Sequence, residues 1–256
     1  MKSTKLSITN KHGLKLAGIL DSPEQHHHIK VYALYAHCFT CSKDLKAIAN
    51  INESLTKYGI ATLRFDMTAI GESEGEFTET NFTTQIEDFL SAADYLEKNY
   101  RSPQLLIGHS LGGCVAIESA LKLPSVNAVV TIATPAEPSN LSIKLKNTKA
   151  RSLQDGTGET EIGGVKFKFK PQFWSDIESY SLKKDLPGLN RPLLILHSPL
   201  DTYTSIDNAG ILFENAKQPK SIISLDDMDH LMLKKSDAHY VGDLIGTWFG
   251  KYMKSE

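Results

Sequence analysis

The sequence has little cysteine, no long hydrophobic run and no strong excess of charge of either sign. Three cysteines in 256 residues are too few, and too odd in number, for the disulfide framework of a small secreted protein, which agrees with a reducing compartment. No stretch approaches the ~20 apolar residues of a membrane-spanning helix, and the polar N-terminus lacks the apolar segment of a signal peptide. We therefore expect a cytoplasmic protein with no membrane partner.

The charges are nearly balanced and are dispersed along the chain. The 28 Lys and Arg residues against 30 Asp and Glu residues give a formal net charge of −2, without the basic patch that attracts nucleic acid. The 41% of hydrophobic residues is typical of an ordinary globular protein. We predict a single domain over residues 1–256 and no nucleic-acid partner.

Strand-like and helix-like segments alternate after an N-terminal hairpin. Two short alternating runs flank the turn-prone NKHG, and six aliphatic or β-branched runs follow, which look buried on both faces: VYALYAH, GIATLRF, QLLIGH, NAVVTIA, PLLILH and SIISL. Helical spacing is found at 44–58, 80–100 and 110–123. Such alternation predicts an α/β fold with a mostly parallel sheet of about eight strands and helices on both faces.

Residues 135–190 break this rhythm, because they are rich in Pro, Gly and charged residues. Ligands of open α/β sheets bind outside the carboxyl ends of the strands, where an insertion can cover the crevice. We predict that this segment, called the insertion below, is a small lid.

The chemical signal is the G-x-S-x-G sequence Gly108-His109-Ser110-Leu111-Gly112, which directly follows a predicted strand and directly precedes a helix. This context is that of a nucleophile elbow, a sharp turn that exposes a reactive serine and leaves room only for glycine on either side. The alternative is that Ser110 merely caps the helix, a role that does not require both glycines.

A serine nucleophile needs a histidine base, and in folds with this elbow the acid and then the histidine follow the serine along the chain. Downstream of Ser110 the histidines are His197, His230 and His239. His197 ends a strand, where a structural hydrogen bond is expected, and His239 lies on the surface of a predicted helix. His230 follows the last strand in a short loop, so we predict that it is the base.

For the acid, Asp201 lies just beyond the strand PLLILH and precedes His230. Its rivals are Asp207, on the following predicted helix, and the acidic residues of the histidine loop, where solvated turn carboxylates are expected: Asp226, Asp227 and Asp229. Chain order and edge position favour Asp201 as the residue that orients His230.

An oxyanion formed by attack of Ser110 needs two N–H donors held in place. One is the backbone N–H of Leu111, and the spacing from His37 in the loop AHCFTCSKD nominates that of Phe39. Cys38 and Cys41 form a C-x-x-C sequence in the same loop. Two small buried thiols are the expectation, and the alternatives are a regulatory disulfide and a thioredoxin-type redox site.

No metal site or cofactor is predicted. His26, His27 and His28 lack further ligands at zinc-site spacing, so we expect them to lie in a solvated loop.

Several motifs together, GHSLGG, RFDMTAIGESEG, HSPLD and MDHL, resemble the serine hydrolases of the α/β-hydrolase superfamily over essentially the whole chain. More narrowly, AHCFTCSKD, NFTTQIEDFLSAADYL and SLDDMDHL look like the hydrolase domain that in many bacterial proteins is fused to an OsmC-like domain. The resemblance implies a bacterial esterase-like enzyme with Ser110, Asp201 and His230 as its triad. At Cys38 the chain departs from most relatives, in which glycine is commoner.

The hypothesis from the sequence is a cofactor-free serine hydrolase that cleaves small-molecule carboxylic esters with short to medium acyl chains through an acyl-enzyme. An acyltransferase, thioesterase or peptidase shares the same triad and intermediate. A non-catalytic ligand-binding pseudoenzyme is the alternative of a different class.

Overall fold

A computed structural model describes residues 1–253 of the chain. It contains ten strands: β1 (Lys2–Thr9), β2 (Lys15–Ser22), β3 (Val31–Ala36), β4 (Ile60–Phe65), β5 (Leu105–His109), β6 (Ala128–Ile132), β7 (Gly158–Ile162), β8 (Val165–Phe169), β9 (Leu193–His197) and β10 (Lys220–Ser224). Eight of them form one sheet in the order β1-β2-β4-β3-β5-β6-β9-β10, and β7 pairs only with β8.

The helices are α1 (Lys46–Lys57), α2 (Phe82–Asn99), α3 (Leu111–Ala120), α4 (Asn140–Lys144), α5 (Lys146–Asp155), α6 (Pro171–Ile177), α7 (Leu182–Asp185), α8 (Asp207–Asn215) and α9 (Lys235–Gly250). Short 3₁₀ turns lie at His26–His28, Phe77–Glu79 and Leu186–Gly188. The helices predicted at 44–58, 80–100 and 110–123 are therefore confirmed as α1, α2 and α3. A capping box begins α2, because Asn81 accepts a hydrogen bond from the N–H of Thr84.

The predicted fold class is confirmed by the pairing of the strands. The pairs β1–β2 and β2–β4 are antiparallel, and all other pairs of the large sheet are parallel. Parallel strands place their carboxyl ends at one edge of the sheet. The loops that follow β3, β5, β9 and β10 therefore meet at that edge, and they carry Phe39, Ser110, Asp201 and His230.

Two hydrophobic layers cover the sheet. One layer packs α2, α3 and residues of the insertion against one face, and the other packs α1 and α9 against the opposite face. The strands β3, β5, β6 and β9 are buried throughout, as predicted. The same prediction is wrong for β10, in which Ile222 is 44% exposed, because β10 is an edge strand with a single neighbour.

The insertion between β6 and β9 contains more regular structure than its composition indicated. It comprises α4 to α7 and the β7–β8 hairpin, whose turn uses Gly163 and Gly164 with φ of +61° and +80°. Two alternating runs separated by Gly-Gly are a hairpin signal, but this hairpin was not among the elements predicted from the sequence. Within residues 1–253, no helix combines the length and apolar character needed to cross a membrane.

Candidate active site

Ser110 occupies a strained turn between β5 and α3. Its backbone φ of 55° and ψ of −126° lie in a region that residues other than glycine rarely adopt. The Ser110 side chain makes no capping hydrogen bond to α3, and it is only half-buried. A capping role therefore does not explain this serine, whereas a strained turn that presents a hydroxyl group is what a nucleophile requires.

The glycines on either side of Ser110 are required by backbone contacts. A Cβ atom on Gly108 would lie 2.2 Å from the carbonyl oxygen of Gly112, and one on Gly112 would lie 2.4 Å from that of His37. Real Cβ atoms do not approach backbone atoms so closely, so a larger residue at either position would displace the elbow. The second contact also shows that the elbow packs directly against the loop that follows β3.

His230 and Asp201 form a short hydrogen bond. The Nδ1–H group of His230 donates to Oδ2 of Asp201 at 2.6 Å, and the other carboxylate oxygen accepts the N–H groups of Tyr203 and Thr204 at 2.8 Å each. Burial raises the pKa of Asp201, but these hydrogen bonds outweigh burial and hold the pKa below its ordinary value. Asp201 is therefore an ionised carboxylate that orients the imidazole of His230.

His109 joins this pair to the elbow. Its Nε2–H group donates to the backbone carbonyl of His230 at 2.8 Å, and the two imidazole rings lie 5.1 Å apart between centroids. Burial, and then the charge of a protonated His230, lower the pKa of His109 to about 3, so the ring is neutral. Because His109 directly precedes Ser110, this contact connects the loop of His230 to the elbow.

The two other downstream histidines have structural partners. The Nε2–H group of His197 donates to the carbonyl of Thr204 at 2.8 Å, and burial lowers the pKa of His197. His239 lies on the surface of α9 and pairs with Glu53 through Nε2 at 3.0 Å. Both observations agree with the structural roles expected of these residues.

Three of the four rival carboxylates have other hydrogen-bond partners. Asp207 begins α8 and accepts a hydrogen bond from Ser205, and Asp226 accepts one from Ser224. Asp229 accepts the N–H groups of two residues of its own turn, Leu231 and Leu233. Within residues 1–253, Asp201 is the only carboxylate that forms a hydrogen bond with the imidazole ring of His230.

The loop after β3 positions the Phe39 N–H group. Nδ1–H of His37 donates to the Cys38 carbonyl at 2.8 Å, and the N–H of Cys41 donates to the same oxygen at 3.0 Å. The Cys38 carbonyl and the Phe39 N–H belong to the same peptide group, so both hydrogen bonds fix the orientation of that N–H. That N–H has no acceptor within residues 1–253, and Leu111, as the first residue of α3, has no partner within its helix.

The cysteines of this loop are bonded to each other. Cys38 and Cys41 form a disulfide with a Cα–Cα separation of 5.2 Å, whereas Cys114 is a free, buried thiol. The expectation of two free thiols at positions 38 and 41 is therefore wrong. A four-residue turn brings the two side chains together, and the disulfide encloses the nominated oxyanion donor Phe39.

Aromatic residues of the insertion pack on the same loop. The Phe39 ring lies 6.2 Å from Phe169 and 6.0 Å from Phe173 between centroids, and Trp174 stacks on Phe169 at 5.0 Å. The insertion is thus in direct contact with the predicted oxyanion loop.

One group of carboxylates has the spacing of a metal site. Within residues 1–253, Asp44, Asp66 and Glu72 are the acidic side chains close enough to share an ion. Nζ of Lys43 lies at 2.8, 3.0 and 2.6 Å from these three carboxylates, so the lysine ammonium already pairs with all three of them. The three histidines at 26–28 form an exposed 3₁₀ turn.

Two residues near His230 were not identified from the sequence. The Tyr203 ring lies 5.1 Å from the His230 ring between centroids, and Nζ of Lys144 lies 6.0 Å from the centre of the Tyr203 ring. Lys144 ends α4 in the insertion, 86 positions before His230 along the chain. Its only signal in the sequence is its location in a segment predicted to cover the site.

Comparisons with known proteins agree with this architecture. Residues 42–157 match the family model described as "Serine aminopeptidase, S33". The chain is similar to human "Palmitoyl-protein thioesterase ABHD10, mitochondrial", with 27% identity over 215 residues that represent 78% of this chain and 68% of that protein. It is also similar to human "Monoglyceride lipase", with 27% identity over 196 residues and 64% of each chain covered.

Solved structures give the same result. The esterase domain from a Rhodothermus marinus protein is 39% identical, with a TM-score of 0.81 and coverage of 99% of this chain and 100% of that one. Est1E from Butyrivibrio proteoclasticus with bound ferulic acid is 18% identical, with a TM-score of 0.78 and coverage of 96% and 98%. The second likeness concerns the fold alone.

Proposed function

The chain belongs to the α/β-hydrolase superfamily of serine hydrolases, and from this membership we propose that it hydrolyses carboxylic esters through a covalent acyl-enzyme. The substrates are small-molecule esters with short to medium acyl chains.

In the proposed reaction Ser110 Oγ attacks the ester carbonyl while His230 Nε2 takes the serine proton. Asp201 holds the imidazole and stabilises its protonated form, and the N–H groups of Leu111 and Phe39 bind the oxyanion. The tetrahedral intermediate then expels the alcohol, which receives the proton from His230. A water molecule, deprotonated by His230, releases the acid from Ser110 in the second half of the cycle.

The observation that supports this proposal is a strained, uncapped serine whose neighbour His109 is bonded to the loop of a histidine that is itself hydrogen-bonded to a buried carboxylate. Ser110 has φ of 55°, His230 donates to Asp201 at 2.6 Å, and His109 links the two. Structural serines and histidines do not need this combination of strain and orientation.

The preference for short to medium acyl chains is supported by the insertion. Its longest helix, α5, has 10 residues, with polar and charged residues in most positions, and its aromatic residues pack onto Phe39. Such an insertion favours a modest pocket rather than the broad apolar surface of a lipase.

Thioester hydrolysis is the second candidate, and it is favoured by the similarity to a palmitoyl-protein thioesterase over 78% of this chain. The same nucleophile, base and oxyanion donors serve both reactions, which differ in the leaving group. Matched oxygen esters and thioesters of one acyl chain distinguish the two candidates by their kcat/KM values.

The test is a panel of p-nitrophenyl esters from acetyl to octanoyl, together with labelling by a fluorophosphonate. We expect turnover and labelling by the wild-type protein, both lost in Ser110→Ala. Ser119→Ala, a buried serine at the far end of the same helix, controls for folding. Absence of turnover and of labelling in the wild-type protein would instead favour a pseudoenzyme.

A further inference from the structure

A lysine of the insertion lies beside the proposed base without a role in the proposed chemistry. Nζ of Lys144 is 6.0 Å from the centroid of the Tyr203 ring, and that ring is 5.1 Å from His230. Lys144 and Tyr203 are exposed, so they border the site at its solvent side rather than within the core. A substrate that contacts His230 therefore passes close to this ammonium group.

The charge of Lys144 is not balanced by an ion pair. Within residues 1–253 no carboxylate lies within 4.0 Å of Lys144 Nζ, whereas the insertion lysines Lys149 and Lys170 pair with Glu178 and Glu79. Partial burial lowers the pKa of Lys144, and the charge of Asp201 opposes that effect. An ammonium group without a counter-ion at this border of the site attracts an anion.

The acidic residues around His230 form no direct ion pair with Lys144. The Asp201 carboxylate is occupied by His230 and by two backbone N–H groups, and that of Asp229 is occupied by the N–H groups of Leu231 and Leu233.

The position of Lys144 relative to His230 indicates which half of an ester it contacts. His230 must deliver its proton to the leaving oxygen, so the alcohol portion of the ester lies beside this ring. Tyr203 packs against the His230 ring and Lys144 lies beyond Tyr203, whereas Phe39 packs against the aromatic residues of the insertion.

We propose that Lys144 is a specificity-determining residue that selects esters whose alcohol portion carries a carboxylate. The ammonium binds the carboxylate, and the exposed face of Tyr203 supports the organic part of the alcohol. This inference rests on the proposed function, because it assigns a substrate class to the same site.

The experiment compares two pairs of esters. In the first pair, p-butyryloxybenzoate and its methyl ester differ by a charge on the alcohol portion. In the second pair, p-nitrophenyl hemisuccinate and p-nitrophenyl butyrate differ by a charge on the acyl portion. For each pair the ratio of kcat/KM, charged over neutral, is measured in the wild type and in variants, so that the intrinsic reactivity of each ester cancels.

The variants are Lys144→Gln, Lys144→Arg and the matched control Lys146→Gln. Lys146 is an exposed lysine of the insertion that lines a groove with Leu153 and Glu178. For the pair that differs by a charge on the alcohol portion, we expect the charged-over-neutral ratio of kcat/KM to fall roughly 3- to 10-fold in Lys144→Gln and to be retained in the other two variants. In the wild type this ratio should also fall with added salt, because salt screens the attraction.

Three results would overturn the inference. The first is a charged-over-neutral ratio for the alcohol-charged pair that is unchanged in Lys144→Gln, with normal turnover of the neutral esters. That result would show that Lys144 does not determine specificity, while leaving the proposed function intact. The second is a change in the ratio of the acyl-charged pair alone, which would show that Lys144 contacts the acyl portion and not the alcohol portion of the ester. No turnover of any of the four esters by the wild type overturns the proposed esterase function and the inference with it.

Discussion

The ring of His109 donates a hydrogen bond to the backbone carbonyl of His230 at 2.8 Å, across a sequence separation of 121 residues. The residue before the proposed nucleophile therefore holds the backbone of the proposed base. Because the ring of His109 is buried and neutral, it acts as a fixed donor, and the spacing of the elbow and the histidine loop depends on it.

Replacement of His109 tests the role of this hydrogen bond. His109→Phe leaves the His230 carbonyl without its partner, at a free-energy cost of about 1–3 kcal/mol, and we expect kcat for ester turnover to fall about tenfold. His109→Gln retains an N–H donor of similar reach and should recover most of kcat. Equal losses of kcat in the two variants would show that the side-chain N–H donor at position 109 is not required.

Asp201→Asn tests the orientation of the base. An amide cannot stabilise protonated His230, and its NH₂ group favours the wrong tautomer, so we expect kcat to fall by about three orders of magnitude with the fold intact. Asp207→Asn makes the same charge change at the start of α8 and should leave kcat within about twofold of wild type. A comparable kcat in the two variants would remove Asp201 from the mechanism.

Gly112→Ala tests the packing of the elbow against the loop after β3. The new Cβ would lie 2.4 Å from the carbonyl oxygen of His37, so the backbone must shift, and we expect a loss of about 1–3 kcal/mol in the free energy of unfolding. The shift also displaces Phe39, which should lower kcat. Urea denaturation and ester turnover measure the two effects.

Gly210→Ala is the control, because a Cβ on this helical glycine of α8 meets open space. Alanine there should stabilise the protein by up to about 1 kcal/mol, since it favours the helix. Equal destabilisation by the two substitutions would contradict the steric explanation.

Glu118 predicts a pH-dependent stability. It is buried on α3, and burial, followed by the nearby Asp185 carboxyl, raises its pKa from 4.5 to about 7. Between these two values the folded protein binds more protons than the unfolded chain, so this group's contribution to stability is lost as the pH rises through the window.

Glu118→Gln removes that dependence, because the amide stays neutral. We expect the variant to be more stable than wild type by about 1–3 kcal/mol near pH 8, and to gain little near pH 4, where Glu118 is protonated in both states. Thermal unfolding at the two pH values measures the difference. Glu97→Gln, an exposed change on α2, should change stability equally at the two pH values. A stability gain confined to pH 8 in this variant would contradict the role of Glu118.

The Cys38–Cys41 disulfide predicts a redox response of the proposed oxyanion loop. With the disulfide formed, the Phe39 N–H has no acceptor within the described chain and is available to an oxyanion. We expect a dithiol reductant to lower kcat a few-fold, because the loop loses a covalent constraint. Cys41→Ser should show the lower kcat from the start and no response to reductant. The same response in both proteins would exclude these thiols as its cause.

Local patterns in the sequence were sufficient to predict the elbow and the mostly parallel sheet around it. The alternation of aliphatic runs with helical spacing predicted the parallel sheet, and the G-x-S-x-G motif between a strand and a helix predicted the turn at Ser110. The carboxyl-edge rule then nominated Asp201 and His230, which the structure brings within 2.6 Å of each other. These predictions depend on periodicity and backbone sterics, which act over a few residues.

Contacts between distant segments were not predictable in the same way. The sequence contains Lys144, Tyr203 and His109 but no signal for their positions around His230, because those positions depend on how the insertion and the loops pack. The disulfide and the exposed face of β10 likewise follow from loop conformation and from which strand lies at the edge. By itself the sequence determined the strand segments and the turn that presents Ser110, since both arise from local periodicity and backbone sterics. Only the tertiary structure decided what surrounds that serine, since long-range packing sets those distances.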